Sequence, residues 1–331
     1  MRNRLLCSCL LVACGPAVAV AQQQRAPNNS PKATVIDKTP LYAAADTSSS
    51  HMAEITAGRE MVIVDHNGPW VRVFANTDAE TSQAQDAPVF GSQAAATPIS
   101  GWMEAKRVVS ADTPKGDLIL FGVAAGDEIL AGQPHAPSGA AQAARLLYQR
   151  AADLFPQSPV APEAAWRSAD IRWQLQKEDA FSLPSAHEKA SYLREQIDET
   201  GMKKIEKMYP RSKWSDLAAW DLLDNKICGD WQGSTQCPEK EAEMYEKYAQ
   251  EHPDSSKTPQ ALYEAVYRRC VLNDMYTANG DDKKAQDAKA RAVAIANTIE
   301  SKYVESDYAA RAAGLIYKLQ ASIPIYGANQ E

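Results

Sequence analysis

The chain has 331 residues, of which 45% are hydrophobic and 23% charged, with a formal net charge of −7. That length allows about two domains of ordinary size, and an acidic chain with no Lys/Arg cluster interleaved with aromatics excludes nucleic acid as a natural partner. Beyond the N-terminal segment no run of about 18 apolar residues occurs, so no further membrane span is expected.

Residues 1–21, MRNRLLCSCLLVACGPAVAVA, place two arginines before an apolar stretch, a Gly15-Pro16 break and Ala19-Val20-Ala21. This is the pattern of a secretory signal peptide. A competing reading takes Leu11-Val12-Ala13-Cys14 as a lipoprotein cleavage box with Cys14 as the lipidated residue. Removal of the signal deletes Arg2 and Arg4 and takes the formal charge from −7 to −9. Export to an oxidising compartment favours disulfides among the remaining Cys228, Cys237 and Cys270.

Residues 22–32, QQQRAPNNSPK, are polar and apolar-poor, and predict a disordered tether. From residue 33 to 110 the pattern is one of strands. Thr34 to Ile36, EMVIV (60–64), WVRVF (70–74) and GWME (101–104) are short β-branched or aromatic runs split by Gly, Pro, Asn and Asp, with HNGPW as a tight turn. Residues 76–100, rich in Ala, Ser and Gln, predict a long mobile inserted loop.

These strand residues carry a resemblance. Leu41-Tyr42 before a Ser/Thr-rich loop, Ile55-x-x-Gly58, Asn67-Gly68-Pro69-Trp70 and Gly101-Trp102-Met103 resemble the bacterial Src-homology-3-like domain. The resemblance implies a small β-barrel in which Tyr42, Trp70 and Trp102 line a ligand groove; barrel core is the competing reading for the two tryptophans. The insertion departs from the short hairpin usual in that family.

After residue 110 helical spacing takes over, with residues 111–139 read as a connecting helix and linker. Leu147, Ala151, Leu154 and Phe155 share one helix face. Leu193, Ile197, Met202, Ile205 and Met208 predict another helix, opened by a Ser185-x-x-Glu188 capping box.

One step recurs across residues 140–325. Phe155-Pro156-Gln157-Ser158, Tyr209-Pro210-Arg211-Ser212, His252-Pro253-Asp254-Ser255 and Tyr303-Val304-Glu305-Ser306 follow one another at intervals of 54, 43 and 51 residues. Six positions after each serine stands an alanine: Ala164, Ala218, Ala261 and Ala312. The step predicts a helical hairpin in which the aromatic and proline end the first helix, serine caps the second, and small residues on one face let the two approach closely. Four such hairpins make an α-solenoid. The step resembles the tetratricopeptide-type repeats of periplasmic envelope proteins, notably the outer-membrane β-barrel assembly lipoproteins and the periplasmic partner of the Tol-Pal system.

Cys228 and Cys237 bracket the turn-rich GDWQGSTQ, and three states stay open for them: a mutual bridge, free thiols, or pairing with Cys270. The five histidines, His51, His66, His135, His187 and His252, are scattered without HExxH or Cys-x-x-Cys partners, so no metal is expected. No GxSxG, phosphate loop or dinucleotide fingerprint occurs, so no cofactor is expected either. Wall hydrolases that carry Src-homology-3-like domains need a Cys-His pair on a mixed α/β fold, and only helices are read downstream of residue 110.

The expectation is therefore an exported, non-catalytic scaffold of the periplasm or cell envelope. Its repeats bind a protein partner and its β-module a peptide or peptidoglycan-linked ligand, with membrane attachment only if Cys14 is lipidated. Two alternatives remain: a lipid-anchored outer-membrane assembly factor, and an enzyme with an unrecognised site.

Overall fold

The computed structural model describes residues 30–78 and 97–325. The signal peptide, Cys14, most of the tether and residues 79–96 of the insertion lie outside the described residues.

Seven strands form one antiparallel sheet among the described residues: β1 (Lys32–Val35), β2 (Thr39–Tyr42), β3 (His51–Ile55), β4 (Met61–Asn67), β5 (Trp70–Ala75), β6 (Ile99–Glu104) and β7 (Val108–Ser110), in the order β3-β2-β6-β5-β4-β1-β7. Period-two alternation sets its faces. In β5, Val71, Val73 and Ala75 are buried while Trp70, Arg72 and Phe74 are half-buried on the other side. Asn67 pairs with Trp70 across a Gly68-Pro69 loop, with Gly68 at φ 55°, the left-handed conformation that a two-residue hairpin demands of its first central residue. Leu41, Ile55, Met61, Val71, Val73 and Met103 form the core.

Three expectations need correction here. The tether ends earlier than residue 32, because Lys32 already pairs with Val62. The insertion is narrower than 76–100: Asn76 donates to the Thr97 carbonyl at 2.9 Å, and Ile99 and Ser100 belong to β6. The sheet is also open among the described residues, with no pairing between edge strands β3 and β7, since β7 stops after three residues and the chain turns into a helix that packs on it.

Nine α-helices follow among the described residues: α1 (Gly116–Ala131), α2 (Ala140–Leu154), α3 (Ala161–Ser182), α4 (Thr200–Met208), α5 (Lys213–Asp221), α6 (Gln236–Glu251), α7 (Thr258–Ala278), α8 (Asp282–Lys302) and α9 (Asp307–Gln320). The recurring step has one backbone shape. The residues ending α2, α4, α6 and α8 have φ, ψ of −127°, 58° at Phe155, −126°, 53° at Tyr209, −128°, 56° at His252 and −131°, 40° at Tyr303. Tyr303 reaches this shape before Val304, so proline is not required for it.

The capping expectation divides. Ser212 and Ser306 are N-caps, accepting from the backbone N–H of Ser215 and Tyr308. Ser158 and Ser255 stand a turn before their helices, because Pro162 and Pro259 occupy the first turns of α3 and α7 and place the helix starts there. Their hydroxyls accept from the Val160 and Lys257 N–H groups, which lie just before the helices, at 3.3 and 3.2 Å, and also bond Asp117 (2.6 Å) and the Tyr248 hydroxyl (2.8 Å). Ala164, Ala218, Ala261 and Ala312 are all fully buried, each packed against the helix before it.

The helix expected from Ser185 does not form. Short 3-10 turns occupy Pro184–His187 and Ser191–Leu193, Leu193 is exposed, and α4 begins only at Thr200. The backbone finds partners across the chain rather than four residues back. The Asn225 side chain accepts from the Ile197 N–H at 3.0 Å and donates to its carbonyl at 2.8 Å, and Gly229 and Asp230 donate to the carbonyls of Glu188 and His187.

Sheet and helices share a boundary. A Cβ on Gly58 would fall 2.4 Å from that of Leu146, so only glycine lets α2 approach this turn. Arg150 of α2 is 4% exposed and donates to the Gly58 carbonyl (3.1 Å), Glu60 (3.2 Å), Asp78 (3.1 Å) and Asp153 (3.1 Å).

Candidate functional site: the aromatic sheet face and the carboxylate row

Residues opposite one another in a sheet project on the same side. His51 pairs with Tyr42, Tyr42 with Trp102, and Trp102 with Arg72, so one row crosses β3, β2, β6 and β5. Tyr42, Trp102 and Arg72 are half-buried and His51 is exposed, while their strand neighbours Leu41, Gly101, Met103, Val71 and Val73 are buried behind them. Trp70 joins from the next position on β5, its ring edge-on to Tyr42 at 5.7 Å; His51 meets Tyr42 edge-on at 6.0 Å. Trp70 and Trp102 thus lie on the face opposite the sheet's buried core, beside Tyr42. Gly101 shapes this face from beneath, since a Cβ there would come 2.7 Å from Leu41. The arrangement offers π-faces to a planar or ring-bearing group, with the Arg72 cation in the same row for an anionic one.

The second constellation runs along the helices. Tyr148 donates to Glu128 at 2.6 Å, and Arg167 holds Glu128 (2.8 Å) and Glu163 (2.9 Å). Asp224 accepts from the Trp173 ring N–H at 3.0 Å and pairs with Lys177 at 2.8 Å. Between these groups, burial raises the Asp170 carboxyl above its ordinary range. Asp221 is pushed up to about 8, by burial first and then by the charges of Asp170 and Asp224, against the pull of Lys177 and Lys257. Its buried Oδ2 has no hydrogen-bond partner. A carboxyl in that state stays protonated near neutrality and is a hydrogen-bond donor.

The aromatic residues of the repeats bridge neighbouring helix pairs. Trp166 stacks on Trp214 at 5.3 Å, Trp220 meets Tyr245 and Tyr248 at 5.7 and 5.4 Å, and Tyr263 meets Tyr308 at 5.5 Å. Trp173 is 1% exposed. Cys228 is bonded to Cys237, and Cys270 is a free, buried thiol whose pKa burial raises to about 12. The disulfide loop is anchored by Glu241, 1% exposed, which accepts from the Cys228 N–H (2.9 Å), the Trp231 ring N–H (3.2 Å) and Arg268 (2.7 Å). His252, at the aromatic place of the third step, pairs with Asp216 at 2.8 Å.

Arg150, Glu241, Arg268 and Asp221 were not singled out from the sequence, although a signal for the first three was there. Arg150 falls on the stripe of Leu147 and Ala151, Glu241 on that of Cys237 and Tyr245, and Arg268 on that of Ala265 and Leu272. A charge on an apolar stripe has to find a partner in the core. Among the described residues no group of three or more His, Cys, Asp or Glu side chains is placed to hold a metal ion, and no helix is long and apolar enough to cross a membrane.

No protein-family model matches the chain, and no curated protein matches it in sequence. What is established is an antiparallel sheet followed by a helical region with a recurring turn.

Proposed function

We propose that this protein is a non-catalytic scaffold of the cell envelope. The sheet acts as a Src-homology-3-like module, and the helices act as a tetratricopeptide-like solenoid that binds a protein partner. The ligand of the sheet is a peptide or a peptidoglycan-linked group, taken up by Tyr42, Trp70 and Trp102 with Arg72 pairing to its carboxylate. The observation that carries this reading is the aromatic and cationic row across four strands, on the side of the sheet away from its core.

Co-sedimentation with purified peptidoglycan sacculi, and titration of free stem peptides followed by tryptophan fluorescence, test it. Binding by the full chain is expected, weakened about tenfold or more by Tyr42→Ala or Trp102→Ala, the scale of loss for a truncated aromatic contact. Equal binding by wild type and both variants, or no binding to either ligand, overturns the reading.

A further inference from the structure

The first helix of the array exposes a face that soluble proteins seldom leave bare. Leu118, Ile119, Ile129 and Leu130 of α1 are 53, 37, 66 and 41% exposed, and between them Gly122 and Gly126 have open space where a Cβ would stand. These six residues fall on one helix face and none is polar. The other side of α1 is committed: Leu120 and Ala124 are fully buried against α2. At the far end of the array, α9 also has an outer side, but there Arg311, Lys318 and Gln320 are among the exposed residues. A terminal helix of a repeat array needs a polar outer surface to stay soluble; α9 mixes charged residues with the exposed Tyr317, whereas the exposed residues of α1 include no polar side chain.

The stripe reads the same in both directions about Ala124. Leu118 mirrors Leu130, Ile119 mirrors Ile129 and Gly122 mirrors Gly126. A two-fold axis perpendicular to α1 at the height of Ala124 therefore sets leucine level with leucine, isoleucine level with isoleucine and glycine level with glycine in an antiparallel pair. That is the self-complementarity an isologous contact requires. The paired glycines remove the side chains that would hold the helices apart, so the four large residues can interdigitate. The last turn of α1 carries no basic residue, and the antiparallel arrangement brings Lys115 of one copy beside the C-terminal end of the other, where the helix dipole favours a cation. We propose that the outer face of α1 is the two-fold interface of a homodimer.

Sedimentation equilibrium on the full chain tests the oligomeric state, and thiol crosslinking tests the geometry. A dimer with Kd on the order of 1 µM or tighter is expected. Ile119→Lys and Ile129→Lys, both at exposed positions, should each weaken it about a hundredfold while leaving the melting temperature of the monomer unchanged. A mixture of Leu118→Cys and Leu130→Cys chains should crosslink between copies, whereas either variant alone should do so no more than wild type. A chain that stays monomeric at about 100 µM, a dimer insensitive to both lysine variants, or crosslinking by the single variants overturns the proposal. So does a monomer that instead co-sediments with phosphatidylglycerol vesicles through the same residues, which would assign the face to a membrane surface.

Discussion

The boundary between sheet and helices and the seams between one helix and the next are built from opposite materials. At the first, one buried guanidinium reaches a carbonyl and three carboxylates, and a glycine brings the backbones together. Among the helices, fully buried alanines join the two members of each pair, and aromatic contacts, stacked at Trp166–Trp214 and edge-on at Trp220–Tyr248, join neighbouring pairs. Ionic hydrogen bonds fix direction but leave an uncompensated charge when one partner is lost. Alanine contacts are graded by volume, so damage there scales with the atoms added. The sheet is thus keyed to the helices in one orientation, whereas helix pairs of different length share a single mode of contact.

The sharpest way to break this contrast is Arg150→Ala. It takes the shared cation from Glu60 and Asp78, leaving them Lys32 and Arg59, and should cost about 3–5 kcal/mol in a urea melt, the scale for removing one partner of a buried pair. A loss under about 1 kcal/mol would show that the boundary does not depend on the cation.

The helical region holds a polar exception of its own in Asp221. Its folded pKa, about 8, lies above the ordinary 3.8. Folding therefore favours the neutral carboxyl. The stabilisation it lends is full below about pH 4 and is lost as pH rises through about 8, at up to about 1.4 kcal/mol per pH unit. Melting temperatures measured from pH 5 to 9 should fall more steeply in wild type than in Asp221→Asn. Parallel curves would remove this carboxyl from the account.

Ala218→Leu addresses the seams directly. Overpacking against Met202 and Ile205 should cost about 1–3 kcal/mol, less than the loss at Arg150. The smallest effect has the opposite sign. Val304 is exposed and follows a residue with nearly the backbone angles that precede Pro156, Pro210 and Pro253. Val304→Pro should stabilise by about 0.4–1 kcal/mol through the unfolded chain, read as a higher urea midpoint with unchanged slope.

Local signals made much of the architecture legible. Alternation in WVRVF marks β5, and the aromatic-x-x-Ser step marks four helix ends. Signals that need a distant partner were not legible. Leu193 and Ile197 keep a helical spacing, yet their segment is held open by Asn225, 28 residues beyond Ile197. Ser158 and Ser255 look like caps until Pro162 and Pro259 are counted as setting the helix starts. On the sheet face, Tyr42, Trp70 and Trp102 could be named from their motifs, but their common side follows only from register. Arg72 and His51 joined them through strand pairing alone.

The short second pair, α4 and α5, carries a mechanical consequence. Each has nine residues, fewer than three turns, while α3 has 22 and α7 has 21. Helices that brief are marginal by themselves and are shored up by the cross-chain ties around Ile197 and Asn225. The helical region accordingly has its weakest stretch at this pair, near its middle. Thermal fluctuations should open it there first, letting deuterium into the backbone of α4 and α5 while the flanking rafts still exclude it.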